Sequence, residues 1–151
     1  MKELTLVIPA KDESECLPRV LSEIKNYNCK KIIVIPENDL NTQNVAKNFD
    51  CKMIIQSTDG FGSALIQGIK EVETNFLCIF NADGSFDPKY LSNMLNKLSG
   101  NCDFVFNSRY ESEGGSDDDT LLTLIGNKIF TFVCNLLFRL DISDVLFTYV
   151  M

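Results

Sequence analysis

Asn81, Asp83 and Ser85 occupy alternate positions in the stretch "NADGS". Alternate residues of an extended chain point the same way, so an amide oxygen, a carboxylate and a hydroxyl can face one ligand. A hard divalent cation, Mg2+ or Mn2+, takes such oxygen donors, commonly beside a phosphate. The same letters also make a good turn: Asp-Gly-Ser closes tightly, and Asp87-Pro88 is a good helix entry. Spacing alone leaves both readings open. A second candidate is Arg109 in "NSRY". Its planar fork suits a phosphate through two parallel hydrogen bonds, and it equally suits an ion pair with one of the nearby acids. A third is "DGFGSALIQG", where Gly60 and Gly62 open a helix whose backbone N–H groups could meet a diphosphate. The spacing is not that of the dinucleotide fingerprint.

The elements that must position these residues alternate regularly. Short apolar, β-branched runs at 4–10, 31–36, 52–57, 75–83 and 102–108 read as five strands. Between them lie helical patterns. Leu17, Val20, Leu21 and Ile24 form one stripe; "NTQNVAKNF" starts at an Asn41 or Thr42 cap; Leu65, Ile66 and Ile69 form an inward face; and Pro88 opens "PKYLSNMLNKLS". Strand–helix alternation predicts an α/β fold with a mainly parallel sheet covered on both faces, in three layers. Ligands of such sheets bind outside the carboxyl ends of the strands. Those ends here are "PAKDE", "PENDLN", "STDGFG", "NADGS" and "NSRYE", all polar or glycine-bearing.

Composition narrows the partners. The chain has 151 residues and a net charge of −7, which suits one domain and disfavours nucleic acid, whose phosphates need clustered Lys and Arg. Its six cysteines are scattered singly and histidine is absent, so a structural zinc site is not expected. Lys2 and Glu3 precede a short apolar run that does not read as a signal peptide. Reduced thiols and a cytoplasmic setting are the expectation.

After a polar loop at 111–119, residues 120–140 are apolar with few breaks, and Thr120 is a plausible N-cap. Lys128 near the middle argues against a membrane span. Two readings stay open: a helix packed on the sheet, or a helix lying in a membrane interface. Phe130, Phe132 and Phe138 cannot share one side at about 100° per residue, which favours the interface. The expected division is 1–119 as a ligand-binding core and 120–151 as an interfacial helical segment of the same domain.

Taken together, these stretches resemble the family 2 glycosyltransferases of the GT-A fold, in particular the dolichyl-phosphate-mannose-synthase-like branch. "LVIPAKDESECLPRVL" resembles the family's first strand and Pro-x-x-Asn-Glu turn, with Pro9, Ala10 and Glu13 in register. "GFGSALIQGI" is similar to its Gly-x-Gly-x-Ala helix start, "NADGSFDP" to its Asp-x-Asp metal motif, and "NSRY" with "GG" to its Ser-Arg-Tyr and glycine loop. "DISD" at 141–144 resembles the Asp-x-x-Asp turn that follows the family's interface helices. There are departures. The second strand ends in "PENDLNT" instead of Asp-Asp-Gly-Ser, leaving Glu37 or Asp39 for nucleoside work. Asn81 replaces the first metal acid, and Asp117, Asp118 and Asp119 stand where a basic residue is usual, with Lys128 the nearest replacement. "VLFTYVM" replaces Ser-Gly-Phe, and the family normally extends further, so its C-terminal part is expected to be missing.

The resemblance implies a Rossmann-like GT-A sandwich that moves a sugar from a nucleotide diphosphate to an acceptor with inversion. It implies Asp83 and Arg109 as catalytic residues; Asp83, Asn81 and Ser85 as ligands of Mg2+ or Mn2+; and Pro9, Ala10, Glu13, Glu37, Gly60, Gly62, Asn81 and Lys128 around the substrate. No clear general base is visible, which favours a polyprenyl-phosphate acceptor, already an anion, met on the cytoplasmic face of a membrane. Three rivals are weighed. A sugar-nucleotide pyrophosphorylase wants a glycine-rich loop after the first strand, which "PAKDESE" lacks. A receiver domain wants a Lys where Arg109 stands. The third rival is a degenerate member that binds a nucleotide sugar or a partner without turnover.

Overall fold

The computed structural model describes residues 4–100, 102–111 and 120–151. The elements are β1 (Leu4–Pro9), α1 (Leu17–Glu23), β2 (Lys30–Pro36), α2 (Leu40–Ala46), β3 (Lys52–Gln56), α3 (Phe61–Lys70), β4 (Phe76–Ile79), α4 (Tyr90–Leu98) and α5 (Leu121–Phe138). The four strands pair in parallel in the order β3-β2-β1-β4. Central β1 is buried on both faces, as a strand covered on both sides is, with Thr5 its one polar side chain, hydrogen-bonded to Thr74. Leu4, Leu6 and Ile8 join the larger core with Leu17, Val20 and Leu21 of α1 and Leu91, Met94 and Leu98 of α4. On the other face Ile32, Val34 and Ala64 form a smaller core under α3. Helices therefore cover both faces, giving the three layers.

Helix α3 turns a different side inward from the one its large residues suggest. Its buried positions are Ala64 and Gly68, while Ile66 and Ile69 are exposed. A Cβ on Gly68 would lie 2.5 Å from Val7 Cγ1 and 3.1 Å from Val34 Cγ2. Small residues let the helix backbone sit directly on the β-branched side chains of the sheet, and larger ones are turned out. Helix α2 also begins earlier than Asn41: Asp39 is its N-cap, accepting the Thr42 N–H at 3.1 Å. The Thr120 cap of α5 is as expected, accepting the Thr123 N–H at 3.2 Å.

The expected fifth strand at 102–108 does not pair with β4. The far end of the chain takes that edge: the Ile79 N–H donates to the Val150 carbonyl at 3.0 Å. Residues 105–107 then pair outside it, through an antiparallel bridge between Phe106 and Val150 and reciprocal Val105–Met151 bonds of 2.9 and 3.0 Å. Residues 149–151 take the place beside β4, because Phe147, Tyr149 and Met151 bring an apolar face that the larger core takes up.

Candidate functional site

The turn after β1 is built by local hydrogen bonds. Asp12 has a left-handed backbone, φ 60°, which Asp tolerates better than most residues. Its N–H donates to Asp39 Oδ2 at 2.7 Å, and the Glu13 N–H donates to Thr42 Oγ1 at 3.0 Å. The start of α2 thus holds the turn. Burial pushes the Glu13 carboxyl up from its ordinary range, and the charges of Asp83, Asp12 and Asp39 push it further. Burial works against the Asp39 charge too, but the hydrogen bonds from Thr42 and Asp12 outweigh it and hold that carboxyl low. Asp39 is therefore engaged in capping. Glu37 sits on the loop beyond β2, held by Gln43, whose Nε2 donates to the Pro36 and Glu37 carbonyls at 2.9 and 3.0 Å.

The loop Asn81–Ser85 leaves the end of β4 between two buried aromatic rings. Phe80 before it packs edge-on against Tyr149 at 5.5 Å, and Phe86 after it stacks on Tyr149 at 4.5 Å and 7°. The Tyr149 hydroxyl donates to the Asp87 carbonyl at 3.0 Å. Within the loop, Asp83 Oδ1 accepts the Ser85 N–H at 2.8 Å and Asn81 Nδ2 donates to Ser85 Oγ at 3.1 Å. The turn and the shared facing of these residues therefore coexist. Gly84 has φ 86°, and a Cβ there would run into the guanidinium of Arg19, whose Nη2 donates to the Asp83 carbonyl at 3.3 Å.

A cleft of about 330 Å3 runs along the carboxyl edge of the sheet. It gathers Pro9, Ala10, Glu13, Gly60, Asn81 and Asp83 from three separate stretches of sequence, together with Lys11, Gln56, Asp59 and Phe61. Its inner wall is Val34, Pro36 and Ala64. Glu37 lies in an adjoining hollow that shares Gln56 and Asp59 with the cleft. Gly62 does not line the cleft.

Arg109 and Ser85 line a second cleft, of about 400 Å3, with Asp87, Tyr90, Lys97 and Glu111. The Arg109 guanidinium forms a bidentate pair with Asp144, Nε to Oδ2 at 2.8 Å and Nη2 to Oδ1 at 3.0 Å. Asp144 is fully buried and also accepts the Arg109 N–H. Tyr110 and Phe147 flank the guanidinium at 5.1 and 5.5 Å. The structure thus puts Asp83 and Arg109 in neighbouring clefts, on either side of the Asn81–Ser85 loop.

The chain matches the Glycosyl transferase family 2 over residues 5–151. It belongs to that family. It is 28% identical over 106 residues to an uncharacterized glycosyltransferase of Mycobacterium tuberculosis, covering 70% of this chain and 48% of that protein. It is 26% identical over 150 residues to an uncharacterized protein of Methanocaldococcus jannaschii, covering 94% of this chain and 61% of that protein. The chain thus spans about half the length of the first of these relatives. A crystal structure of a mycobacterial protein superposes with a TM-score of 0.52 at 13% identity, over 64% of this chain and 37% of that one, a likeness of fold.

Family 2 glycosyltransferases often use a divalent cation. Among the described residues no group of three or more Cys, Asp or Glu side chains converges on one point. Asp83 contributes a single carboxylate, and its Oδ2 and Asn81 Oδ1 take no hydrogen bond among the described residues. Mg2+ is commonly held by one or two carboxylates with substrate phosphates and water completing the shell, so this donor set fits a cation that arrives with a diphosphate.

Lys128 is exposed on α5 and lines neither cleft. Helix α5 itself is inverted. Its inward positions are Leu124, Asn127, Thr131, Cys134 and Asn135. Asn127 Nδ2 donates to the Tyr110 hydroxyl at 2.8 Å, Thr131 Oγ1 accepts the Val145 N–H at 3.3 Å, and Asn135 makes two bonds to the Ile142 backbone. Leu121, Leu122, Ile125, Ile129, Phe130, Phe132, Val133, Leu136 and Leu137 are exposed. By length and composition this helix could cross a membrane. Asp117, Asp118 and Asp119 lie outside the described residues. Sequence reasoning missed Tyr149 and Arg19. The alternation Phe147, Tyr149, Met151 was a legible strand signal, whereas no local pattern marks Arg19, which acts on a loop 64 residues away.

Proposed function

We propose that this chain is the donor-binding part of a glycosyltransferase that moves a sugar, with inversion, from a nucleotide diphosphate sugar to polyprenyl phosphate at the cytoplasmic face of a membrane. The observation that carries the reading is the single cleft shared by Pro9, Ala10, Glu13, Gly60, Asn81 and Asp83. In the sheet order β3-β2-β1-β4 the cleft crosses four strand ends, about 14 Å at one strand spacing of about 4.8 Å per step. That suits an extended ligand with its diphosphate at the β4 end and its nucleoside toward β3. A Mg2+ or Mn2+ ion held by Asp83, Asn81 and Ser85 would offset charge on the departing diphosphate. The chain's own groups orient the donor: Glu13 and its hydrogen-bonded turn shape the middle, and Gly60 brings backbone close at the far end.

The acceptor oxygen forms the new bond to the anomeric carbon as the bond from that carbon to the diphosphate breaks. The nucleoside diphosphate leaves with the electron pair. A phosphate acceptor needs no proton removed, so the reading requires no general base. The second cleft, with Lys97 and Arg109, would receive that anion. Arg109 keeps its charge at any working pH, and its pairing with Asp144 fixes its direction. The outward apolar face of α5 supports a membrane acceptor, since transfer of apolar area from water is worth about 25 cal/mol per Å2. Lys128 and Arg139 can reach headgroups from its flank and end.

Calorimetric titration of the chain against nucleotide sugars, with Mn2+ and with EDTA, tests the donor reading. Metal-dependent binding that Asp83→Ala abolishes is expected, and binding unchanged by EDTA would sink the metal assignment. Donor binding without turnover on a polyprenyl phosphate would favour the degenerate member suggested by Asn81. Flotation with anionic vesicles tests α5: the chain should float, and Phe130→Ser with Phe132→Ser should not.

A further inference from the structure

The donor cleft has one wall that its assigned residues do not explain. Phe61, the first residue of α3, lines the cleft and is 52% exposed. A lone exposed aromatic on an open surface means little. This one lines the cleft beside the end of β3, in the same lining as the apolar residues Val34, Pro36 and Ala64. Its backbone is held firmly. Gly60 before it has φ 106° and ψ 146°, a region essentially confined to glycine. A Cβ on Gly60 would meet nothing within 4 Å, so conformation and not space demands the glycine. Gln56, the last residue of β3, spans the turn: its Nε2 donates to the Thr58 carbonyl at 2.6 Å and to the Gly60 carbonyl at 2.8 Å. The Gly60 carbonyl also accepts the first hydrogen bond of α3, from the Ala64 N–H at 3.1 Å.

We infer that Phe61 is the stacking platform for the nucleobase of the donor, and that Gln56 is the positioning residue that aims it. The inference rests on the donor reading above and extends it to the recognition of the base. If the diphosphate lies at Asn81 and Asp83, the base of an extended nucleotide lies at the opposite edge strand, where Gln56, Gly60 and Phe61 stand. A planar base gains most from an aromatic face opposite an apolar wall. The cleft lining contains an aromatic ring and apolar side chains, with the carboxylate of Asp59 as an acceptor for base N–H groups.

The chain contains no tryptophan, which allows a direct optical test. Phe61→Trp places one indole at the site. Titration with GDP and UDP should change its fluorescence, while inorganic pyrophosphate with Mn2+ should bind without that change. By calorimetry, Phe61→Ala should weaken GDP or UDP binding by about 5- to 150-fold, the range for loss of one base–aromatic stack, and leave pyrophosphate binding as it was. Phe61→Tyr should restore nucleotide affinity. Gln56→Ala should weaken the nucleotide but not pyrophosphate. If Phe61→Ala binds nucleotide as well as the wild type, or loses pyrophosphate to the same degree, the stacking role is overturned while the donor cleft stands. If the wild-type chain binds pyrophosphate with Mn2+ but shows no preference for nucleotide, the role is likewise overturned. Failure to bind either probe overturns both readings.

Discussion

Helices α4 and α5 present opposite faces to the same protein. Helix α4 turns Leu91, Met94 and Leu98 into the core and leaves Asn93 and Lys97 outside. Helix α5 turns Asn127, Thr131 and Asn135 inward and leaves an almost unbroken leucine, isoleucine and phenylalanine surface outside. The first is held by area removed from water, a non-directional force. The second is held by named hydrogen bonds to Tyr110, Val145 and Ile142. The difference teaches that α5 is fixed in register more than it is fixed in stability. An apolar helix anchored by a polar side keeps its other side available to an apolar environment.

The largest test of this comparison lies where α5 hands the chain back to the core. Arg109→Ala leaves the buried Asp144 carboxylate without its bidentate partner, a change that costs about 3–5 kcal/mol. Urea unfolding should show that loss, and an unchanged midpoint would mean that the 141–145 segment is not latched to residue 109. Next comes the direct contrast. Leu91→Ala on α4, with the leucine fully buried, should cost about 2–5 kcal/mol. Phe132→Ser on α5, 68% exposed, should shift stability by no more than about 0.5 kcal/mol in the absence of lipid. Equal losses would show that α5 is packed against apolar partners. Asn135→Ala should cost about 1–3 kcal/mol, because it strips partners from the Ile142 N–H and carbonyl; thermal melting reads it.

The smallest effect concerns pH. Hydrogen bonds hold the Asp39 carboxyl below its ordinary range in the folded chain. Its contribution is therefore complete above the unfolded value near about 3.9, and is lost as pH falls through the folded one. Asp39→Asn should flatten that part of the acid limb of a stability–pH curve below about pH 4, and a curve of unchanged slope would show that the cap does not depend on charge.

Much of this was legible in the sequence, because strands and caps leave local marks. The α1 stripe of Leu17, Val20, Leu21 and Ile24 is buried throughout, and the polar ends of β1, β2, β3 and β4 line one edge of the sheet, while Asn107, Ser108, Arg109 and Glu111 line the second cleft. The inward face of α3 was not legible. Periodicity weighs large apolar residues, and the contact with Val7 and Val34 selects small ones. The fifth strand failed for another reason: 102–108 has strand composition, but which segment takes the free edge of β4 depends on residues 149–151, some 70 positions from that strand. The inversion of α5 was half legible. Its apolar excess showed in the composition, while the partners of Asn127 and Asn135 are visible only in three dimensions.

The aromatic brace of the Asn81–Ser85 loop has a consequence for how the protein is made. Phe80 and Phe86 close on Tyr149, which leaves the ribosome more than 60 residues after them. Until then the β1–β2–β3 part of the sheet can form from neighbours in sequence, and the loop bearing Asp83 has Arg19 and the Phe80–Phe86 contact but lacks the Tyr149 ring on which both aromatics pack. Contacts so distant along the chain form late, since closing a long loop must precede its reward. The Asn81–Ser85 loop is therefore expected to set late, and a nascent chain halted before Tyr149 would carry the other walls of the cleft without the finished brace of that loop.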